Sequence, residues 1–353
     1  MNAGGAETFL MKMFRSIDKT KYQFDFCVNL QNNFYQDEIK NMGGKIYVIP
    51  AKSTSIIGYV KELRKIIKNN NYEYVIRVNE HSLSVLDLLI ARSSGAKRLI
   101  MRSSNAGNSN RVSKLLHDLF KFLPILIPDV KIAPSRKAAE YTFGKAAVRK
   151  GEVKIIHNGL DIEKFKFSEM ARNEYRNKLG IDDKIAIGHV GRFYKQKNHK
   201  FLIQTFAEIV RLKQNAVLVL IGDGDLKDEI INESECLDVR EKIIFLGTRQ
   251  DVNYLLMAMD ILIFPSFYEG MPNAVIEAQA TGLPCIISDT ITEEADITGN
   301  VIYYSLNRSP YDWAKETIRM LDNQKSRQVS DKLYENGYDI QSVTALFQKI
   351  IFE

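Results

Sequence analysis

The chain has 353 residues, 45% of them hydrophobic and 26% charged, which is the composition of a folded protein with room for two domains of ordinary size. Three widely spaced cysteines indicate neither a disulfide framework nor a zinc site. Basic residues are concentrated in the first half: residues 1–160 hold 26 Lys and Arg against 13 Asp and Glu, whereas residues 161–353 hold 23 against 30.

This asymmetry predicts an anionic partner for the first half. No basic motif interleaved with aromatic residues is present, so we expect the anionic partner to be a phospholipid surface and not a nucleic acid.

Apolar runs all fall short of the ~18 residues of a spanning helix. The longest, Leu119–Val130, is interrupted by Lys121, Pro124 and Pro128. It is predicted to lie in a bilayer interface, with a buried connection as the alternative. We expect a cytoplasmic protein, peripheral on the inner face of the membrane.

The first half alternates between strand-like and helix-like segments. The glycine loop Gly4-Gly5 enters an amphipathic helix predicted over Glu7–Ile17, and no strand precedes it. The segments that follow are predicted as strand Tyr22–Leu30, helix Phe34–Met42, strand Lys45–Ile49, helix Ile56–Asn69, strand Tyr74–Val78, helix Leu83–Arg92, strand Lys97–Met101, strand Lys131–Ser135 and helix Arg136–Phe143. The alternation predicts an α/β, Rossmann-like half. A doubly wound domain without its first strand would have a gap in its sheet, near the centre.

Two short stretches of this half contain polar candidates. His81 follows the strand Tyr74–Val78, at an end where open α/β sheets bind ligands, so it is a candidate to orient a substrate. A lone histidine is more often structural. His157 and Asn158 are predicted to cap and turn the connection to the second half. Gly159 is predicted to adopt a left-handed backbone there.

The second half carries a pair of cations after a strand. The apolar strand Ile185–Val190 leads to Gly191 and Arg192, and Lys197 precedes the helix His199–Leu212. A guanidinium can grip two phosphate oxygens and an ammonium can follow a moving charge, so the pair suits a diphosphate. A solvated basic loop is the alternative.

Two further strands of the second half end in glycine turns. Strand Ala216–Ile221 ends in Gly222-Asp223-Gly224-Asp225, whose spacing fits no calcium loop, so turn and cap roles are predicted for the aspartates. Strand Lys242–Leu246 ends in Gly247-Thr248-Arg249, ahead of helix Asp251–Met259.

The most informative stretch runs from strand Ile261–Phe264 through Glu269, Gly270 and Pro272 into a helix that contains Glu277. A glycine loop feeding a helix N-terminus is an anion site, with Pro272 tolerated in the first turn. Glu269 would lie beside the anion, and Glu277, two turns on, could accept hydrogen bonds from vicinal hydroxyls. A ligand with a phosphate at the glycine loop and vicinal hydroxyls at Glu277 would be a sugar nucleotide. The alternative is an ordinary βαβ unit with two surface glutamates.

Glu269-x7-Glu277, within F-P-S-x-x-E-G-x-P-x-x-x-x-E-A-x-A-x-G-x-P, resembles the signature of retaining glycosyltransferases of family 4. The resemblance covers nearly the whole chain. It implies the GT-B fold, with two Rossmann-like doubly wound domains facing a central cleft. The implied divisions are an acceptor-binding domain over residues 1–158, a nucleotide-sugar-binding domain over 159–335 and a segment 336–353 whose helix, with Ser342–Phe352 as candidate, crosses back to the first domain.

The resemblance also implies the donor site. Arg192, Lys197 and Glu269 would be catalytic: the cations stabilise the leaving diphosphate, and Glu269 positions the sugar. Glu277 would hold the ribose. The other implied donor-binding residues belong to the loops after the strands: Gly191, Gly222, Thr248, Arg249, Gly270, Met271, Pro272 and Asn273. No metal and no other cofactor is implied, and the expected donor is a UDP-sugar.

The acceptor side departs from the family pattern. Members of the family have an apolar strand before a G-G-A-E loop, so the first strand is expected to be missing from this sequence and the chain start to be late; a loop that is glycine-rich by chance is the alternative. A histidine commonly follows the strand equivalent to Lys97–Met101, but here Arg102-Ser103-Ser104-Asn105 follows. Arg102 could pair with an acidic group of the acceptor. The acceptor-side candidates are Gly4, Gly5, His81, Arg102, Ser103 and Asn105.

The resemblance is closest to bacterial enzymes that build capsular or extracellular polysaccharide. The function it implies is retaining, metal-independent, hexosyltransferase-type transfer from a nucleotide sugar to a growing lipid-linked saccharide or oligosaccharide. One alternative is a sugar-nucleotide epimerase of the same fold, which would need no acceptor. Another is a non-catalytic partner subunit that binds a sugar nucleotide without turning it over.

Overall fold

The computed structural model describes residues 5–29, 34–79, 82–104, 115, 117–323, 327 and 331–353. The chain divides into two compact units. The N-terminal unit comprises Met1–Gly159 together with Ile340–Glu353, and the C-terminal unit comprises Leu160–Asp339. Every strand pairing within them is parallel among the described residues, as expected when helices connect successive strands.

The strands of the N-terminal unit form two separate sheets. One contains β1 (Phe26–Val28) and β2 (Ile46–Val48). The other has the order β3-β4-β5-β6 and consists of β3 (Tyr74–Asn79), β4 (Arg98–Ser103), β5 (Val130–Ala133) and β6 (Val153–Ile155). Among the described residues β1 and β3 do not pair. The sheet of this unit is therefore interrupted, in agreement with the expected gap.

Helices cover these sheets. Their bounds are α1 (Gly5–Ser16), α2 (Gln36–Asn41), α3 (Ile56–Asn69), α4 (Leu86–Ser93, preceded by a 3₁₀ turn over Ser82–Val85), α5 (Leu123–Leu126) and α6 (Arg136–Arg149). Ser55 and Ser135 cap α3 and α6 by accepting hydrogen bonds from Gly58 N and Ala138 N. α6 is longer than predicted because it continues past a kink at Gly144, whose φ is 82°.

The C-terminal unit has one sheet of order β12-β11-β10-β7-β8-β9. Its strands are β7 (Ile185–Val190), β8 (Ala216–Ile221), β9 (Ile243–Phe245), β10 (Ile261–Phe264), β11 (Cys285–Ser288) and β12 (Val301–Tyr304). Its helices are α7 (Ile162–Phe165), α8 (Glu169–Leu179), α9 (His199–Leu212), α10 (Lys227–Cys236), α11 (Val252–Ala258), α12 (Asn273–Ala280), α13 (Pro310–Asp322) and α14 (Lys332–Glu335). The strand order reverses between β7 and β10, and such a switch point is where open α/β sheets bind ligands.

The core of this unit lies on both faces of its sheet. Leu262 and Phe264 of β10 pack into one apolar cluster, whereas Ile261 and Ile263 pack into the other. Continuous apolar strands are typical of a parallel sheet covered on both sides, because both sets of alternating side chains are buried.

The chain ends in α15 (Ile340–Phe352), which belongs to the N-terminal unit. Phe347 of this helix packs against Phe9 of α1, with ring centroids 6.0 Å apart. A Cβ on Gly159 would lie 2.8 Å from Ile340 Cδ1. Gly159 does not have a positive φ, so the predicted left-handed backbone is wrong; glycine is needed because α15 packs directly onto it. None of the helices within the described ranges is long and apolar enough to cross a membrane.

Candidate functional site

The loops that follow β7 and β10 meet at the carboxyl edge of the sheet. Phe267 N donates a hydrogen bond to Gln196 O at 2.9 Å, and Gln196 Nε2 donates to Tyr268 O at 2.8 Å. Asn198 Nδ2 donates to Pro265 O at 3.2 Å. These contacts hold two loops that are far apart in the sequence as one surface at the switch point.

An ion pair between Lys197 and Glu269 lies within this surface. Lys197 Nζ donates to Glu269 Oε1 at 2.7 Å, and the ammonium lies 4.6 Å from the centroid of the Phe264 ring. The two side chains are only 18% and 9% exposed. Desolvated charges need a close partner, because an unpaired buried charge is costly. Each group therefore neutralises the other in this structure.

Arg192 and Gly191 begin the same loop. The Arg192 guanidinium is half-buried and lies 4.7 Å from the Tyr194 ring centroid. A Cβ on Gly191 would lie 3.0 Å from His189 Nε2 and 3.2 Å from Lys197 Cδ. The absence of a side chain at Gly191 thus leaves room for the Lys197 side chain to cross the end of β7 toward Glu269.

Glycines pack the loops after β7, β8 and β9 against one another. Gly222 has φ 134°, and a Cβ there would lie 2.1 Å from Gly191 O. Gly222 N donates to Gly247 O at 2.8 Å. A Cβ on Gly224, at φ 156°, would lie 2.9 Å from Phe193 N. Both backbone conformation and close approach therefore require glycine at this edge.

The loop after β10 leads into the N-terminus of α12. Gly270 and Met271 are buried, and Pro272 occupies the N-cap position, so the predicted place of Pro272 in the first turn is wrong by one residue. Asn273 and Glu277 are half-buried, whereas the rest of α12 is buried. Because they are four residues apart, they share the outward face of the helix. The N–H groups of a first turn and the helix dipole favour an anion at this end.

Thr248 and Arg249 lie in the exposed loop after β9. Arg249 forms a bidentate pair with Asp251, with Nε–Oδ1 and Nη2–Oδ2 distances of 2.8 and 2.7 Å. The hydrogen bond from Arg249 lowers the pKa of the Asp251 carboxyl, and Tyr175 also donates to that carboxylate at 3.0 Å. The Arg249 charge is therefore already paired. A donor contact by either residue remains a prediction.

Two buried histidines beneath the cations were missed from the sequence. His189 Nδ1 donates to Ile263 O at 2.9 Å, since a carbonyl can only accept, and this leaves Nε2 as an acceptor in the neutral ring. Among the described residues His189 Nε2 and both nitrogens of His199 have no hydrogen-bond partner. Burial lowers the pKa of His189 to about 4 and that of His199 well below its usual value. The only sequence signal was a histidine inside an apolar strand two residues before Gly191.

On the acceptor side, Arg102 is fully buried at the end of β4. Its Nη2 donates to Asn158 Oδ1 at 2.6 Å, and its guanidinium lies 3.7 Å from the Phe9 ring centroid. No carboxylate within the described ranges pairs with it, and burial lowers its pKa to about 9. Asn158 thus anchors the Arg102 side chain. The sequence predicted only that Asn158 caps and turns the connection to the second half.

The other acceptor-side candidates are not brought together in the part of the chain that the structure describes. Ser103 is buried and ties β4 to α6, because its Oγ donates to Ala138 O at 3.0 Å and lies 2.8 Å from Thr142 Oγ1. Gly5 begins α1. Gly4, His81 and Asn105 lie outside the described residues. Within the described residues, no group of three or more His, Cys, Asp or Glu side chains could hold a metal ion.

Two protein-family models match the chain: Glycosyltransferase Family 4 over residues 3–164 and Glycosyl transferases group 1 over residues 171–339. EpsF of Bacillus subtilis (strain 168), which is named as a glycosyltransferase, is 33% identical over 350 residues that cover 97% of this chain and 91% of EpsF. The chain belongs to glycosyltransferase family 4. The family and the glycosyltransferase activity implied by the sequence are thereby confirmed.

A second relative of this family 4 glycosyltransferase is the UDP-Gal:alpha-D-GlcNAc-diphosphoundecaprenol alpha-1,3-galactosyltransferase of Escherichia coli. It is 27% identical over 258 residues, which cover 69% of this chain and 66% of the relative. Among solved structures, Anabaena HepE in complex with UDP and glucose superposes with a TM-score of 0.80 at 18% identity, covering 98% of this chain and 95% of HepE. This likeness confirms the predicted GT-B fold.

Proposed function

We propose that this glycosyltransferase is a retaining, metal-independent hexosyltransferase that uses a UDP-sugar and extends a lipid-linked saccharide during synthesis of capsular or extracellular polysaccharide. The observation that carries the proposal is the Lys197–Glu269 pair on the loops that follow β7 and β10, ahead of the N-terminus of α12 and at the switch point of the C-terminal sheet. Arg192 begins the same loop as Lys197 and supplies a second cation to it.

The cations would act on the leaving diphosphate. As the glycosidic bond breaks, the diphosphate gains negative charge, and preorganised donors that face this charge lower the barrier. Arg192 can donate to two oxygens at once, and Lys197 can follow the charge as it moves. These groups, together with the dipole of α12, supply the positive charge that a metal ion would otherwise provide, so transfer is proposed to need no added metal.

Glu269 couples donor binding to sugar positioning. Lys197 can contact the diphosphate only by leaving Glu269 Oε1, now at 2.7 Å. Glu269 then becomes able to accept hydrogen bonds from the sugar hydroxyls, and Glu277, on the outward face of α12, from the ribose. Glu269 and Glu277 belong to one loop–helix unit and are not arranged as a glycosidase nucleophile and acid. Retention is therefore proposed to occur without a glycosidase-like carboxylate pair.

The proposed substrates follow from the relatives and from the charge. HepE is solved with UDP, and the Escherichia coli relative is named for a UDP-sugar donor and a diphosphoundecaprenol-linked acceptor. We assign the remaining donor contacts to Thr248 and Arg249 in the loop after β9, and the acceptor to the N-terminal unit. Arg102 and Ser103 are buried there, so we propose that they hold the end of β4 in place and do not touch the acceptor. The excess of Lys and Arg in residues 1–160 supports a cytoplasmic enzyme at an anionic membrane face.

A nucleotide screen by thermal shift tests the donor site, because a ligand that binds the native state stabilises it in proportion to its occupancy. UDP and UDP-sugars are expected to raise Tm for the wild type but not for Arg192→Ala. Lys195→Ala is the matched control, since it removes an exposed cation of the same loop and should respond as the wild type does. Equal shifts in Arg192→Ala and wild type would show that the nucleotide binds elsewhere.

Transfer assays test the chemistry. With a UDP-sugar and an undecaprenyl-diphosphate-linked saccharide, EDTA is expected to leave the rate unchanged, and NMR of the product is expected to show the anomeric configuration of the donor. Inversion of that configuration would contradict the proposal. Turnover without any acceptor would favour the epimerase, and tight nucleotide binding without turnover would favour the non-catalytic subunit.

A further inference from the structure

His189 is a fully buried histidine of β7 that carries an unused hydrogen-bond acceptor. Its Nδ1 donates to Ile263 O at 2.9 Å, and its ring stacks on Phe264, with centroids 5.3 Å apart and planes inclined by 23°. Both contacts are to the neighbouring strand β10, so they fix the orientation of the ring. Nε2 is left as an acceptor that has no partner among the described residues. Buried polar atoms nearly always have a partner, and an exception beside a candidate site indicates a functional role.

This acceptor borders the space that Gly191 leaves open. A Cβ on Gly191 would lie 3.0 Å from His189 Nε2, 3.2 Å from Lys197 Cδ and 3.3 Å from Lys197 Cε. The imidazole and the Lys197 side chain thus flank the same small volume, which any larger residue in place of Gly191 would fill. Glycine therefore leaves the ammonium of Lys197 a path toward Nε2, by rotation about the last bonds of its side chain.

Lys197 needs a further acceptor once it has left Glu269, its partner at 2.7 Å in this structure. A desolvated ammonium has three N–H groups to satisfy, and the diphosphate of a donor satisfies only part of them. His189 can accept from the ammonium because its ring stays neutral: burial, together with the Lys197 charge, lowers the pKa of His189 to about 4. A protonated imidazole would instead repel the ammonium.

We propose that His189 is a positioning residue for Lys197: Nε2 accepts a hydrogen bond from the Lys197 ammonium when a donor has displaced that ammonium from Glu269. Lys197 then has two partners within the protein, the carboxylate without a nucleotide and the imidazole with one bound. The imidazole is uncharged, so it holds the ammonium in place without neutralising the charge that acts on the phosphate. The role of His189 rests on the proposed donor chemistry, in which Lys197 contacts the diphosphate.

Two substitutions of His189 separate this role from a structural one. His189→Asn places its amide near the position of Nδ1, so it keeps a donor for Ile263 O but has no acceptor that reaches the space beside Gly191. His189→Gln places its amide near the position of Nε2, so it offers that acceptor but loses the bond to Ile263 O. By calorimetric titration we expect His189→Asn to bind UDP about tenfold more weakly than the wild type, and His189→Gln to stay within about threefold of it. Urea unfolding should give the opposite order, with His189→Asn the more stable variant.

His199→Asn is the matched control. His199 is also buried, and its two ring nitrogens have no partner within the described part of the chain. Its ring stacks on Phe193, with centroids 4.3 Å apart, whereas the atoms nearest to a Cβ on Gly191 belong to His189 and Lys197. We expect His199→Asn to lose stability and to bind UDP as the wild type does. A loss of UDP affinity as large as that of His189→Asn would overturn the proposal, because any disturbance of the buried rings would then weaken binding.

Nitrogen-15 NMR of the imidazole rings provides a second measurement. The sequence has five histidines, so the Nε2 signal of His189 can be assigned by its absence from the spectrum of His189→Gln. Saturating UDP is expected to move this signal to the position of a nitrogen that accepts a hydrogen bond. The same concentration of UDP should leave it unmoved in Lys197→Met, which has no ammonium to donate.

The outcomes distinguish a failure of this role from a failure of the donor site. If the wild type binds UDP but the His189 signal stays in place, or if the affinities of the two His189 variants follow their stabilities, His189 does not position Lys197 and the donor site is unaffected. If Arg192→Ala binds UDP as the wild type does, or the wild type does not bind UDP, the proposed donor site is wrong, and the role of His189 is wrong with it.

Discussion

Lys197 and Glu269 are the residues on which the proposed chemistry depends, because each must exchange its present partner for the donor. Glu269→Gln keeps the shape of the side chain but removes the charge that competes with a diphosphate for Lys197. The partner left behind is a buried ammonium, which costs stability until an anion neutralises it. We therefore expect Glu269→Gln to bind UDP about tenfold more tightly, since the carboxylate no longer competes for the cation, while kcat falls by about two orders of magnitude.

Calorimetric titration with UDP measures the first effect, and Glu277→Gln is the control. Glu277 lies on the same helix but is proposed to hold the ribose, so its replacement should weaken UDP binding. If Glu269→Gln binds UDP as the wild type does or more weakly, Lys197 does not exchange its partner on donor binding.

His189 predicts a specific dependence of stability on pH. Burial lowers its pKa from 6.5 to about 4 in the native state, so the unfolded chain binds a proton in this window that the native chain does not. The free energy of unfolding must then fall as pH falls from about 6.5 toward about 4, by up to about 1.4 kcal/mol per pH unit for this group.

Urea unfolding at pH 7, 6 and 5 measures that dependence. His189→Gln lacks the titrating ring, so its stability should fall less steeply with acid than the wild type's. His199 lies beside His189, but its pKa is lowered mainly by its own burial, so the difference between the two profiles is expected to come chiefly from His189. Parallel profiles would show that His189 does not stay neutral in the native protein.

For single residues, the sequence predicted which side chains belong to the candidate site better than it predicted their contacts. The cations and the two glutamates were identified because an Arg, a Lys and a glycine loop each have a chemical reason to meet a phosphate. Their spacing did not reveal that Lys197 and Glu269 already pair, because that contact joins two loops across the sheet. His189 and His199 escaped notice because a histidine in an apolar stretch resembles any core residue.

Among the elements, the loops after β7 and β8 depend on glycine. A Cβ at Gly222 would lie 2.1 Å from Gly191 O, at a φ of 134° that side chains avoid. Gly222→Ala is therefore expected to lower the free energy of unfolding by about 2–4 kcal/mol and to weaken UDP binding, because the shifted backbone is that of the Gly191 loop. Urea unfolding and UDP titration measure these effects.

Gly180→Ala is the matched control for this element. Gly180 ends α8 at φ 67° with no atom within 4 Å of a built Cβ, so it adds left-handed strain without a clash. We expect a loss of about 1 kcal/mol and unchanged UDP binding. Equal losses in the two variants would mean that the close approach of the loops is not what requires glycine at position 222.

Elements with long apolar runs were predicted with their observed bounds. Ala216–Ile221, Ile261–Phe264 and His199–Leu212 have the same ends in the structure, because strands buried on both faces and a strongly amphipathic helix give clear periodicity. The strand predicted over Tyr22–Leu30 is only Phe26–Val28, since a ladder needs a neighbour and β1 pairs with β2 alone among the described residues. Periodicity does not report which neighbours a strand will find.

For the whole molecule, the division of acceptor and donor binding between the N-terminal and C-terminal units stays a prediction from the sequence. The motif near Glu269 predicted the family and the GT-B fold because it resembles the signature of family 4. Its glycines, prolines and glutamates by themselves indicate only a strand–loop–helix unit with a helix N-terminus that can bind an anion. It could not predict the buried contacts of Arg102, which come from α1 and from the connection at Asn158.

A crystal structure of the protein grown with UDP would test most directly whether Arg192 and Lys197 bind the diphosphate of the donor. The diphosphate is predicted to lie at the N-terminus of α12, with its oxygens about 2.7–3.2 Å from Arg192 and Lys197 and its ribose at Glu277. Lys197 should have left Glu269. A nucleotide bound elsewhere, with the Lys197–Glu269 pair intact and Arg192 facing water, would contradict the account.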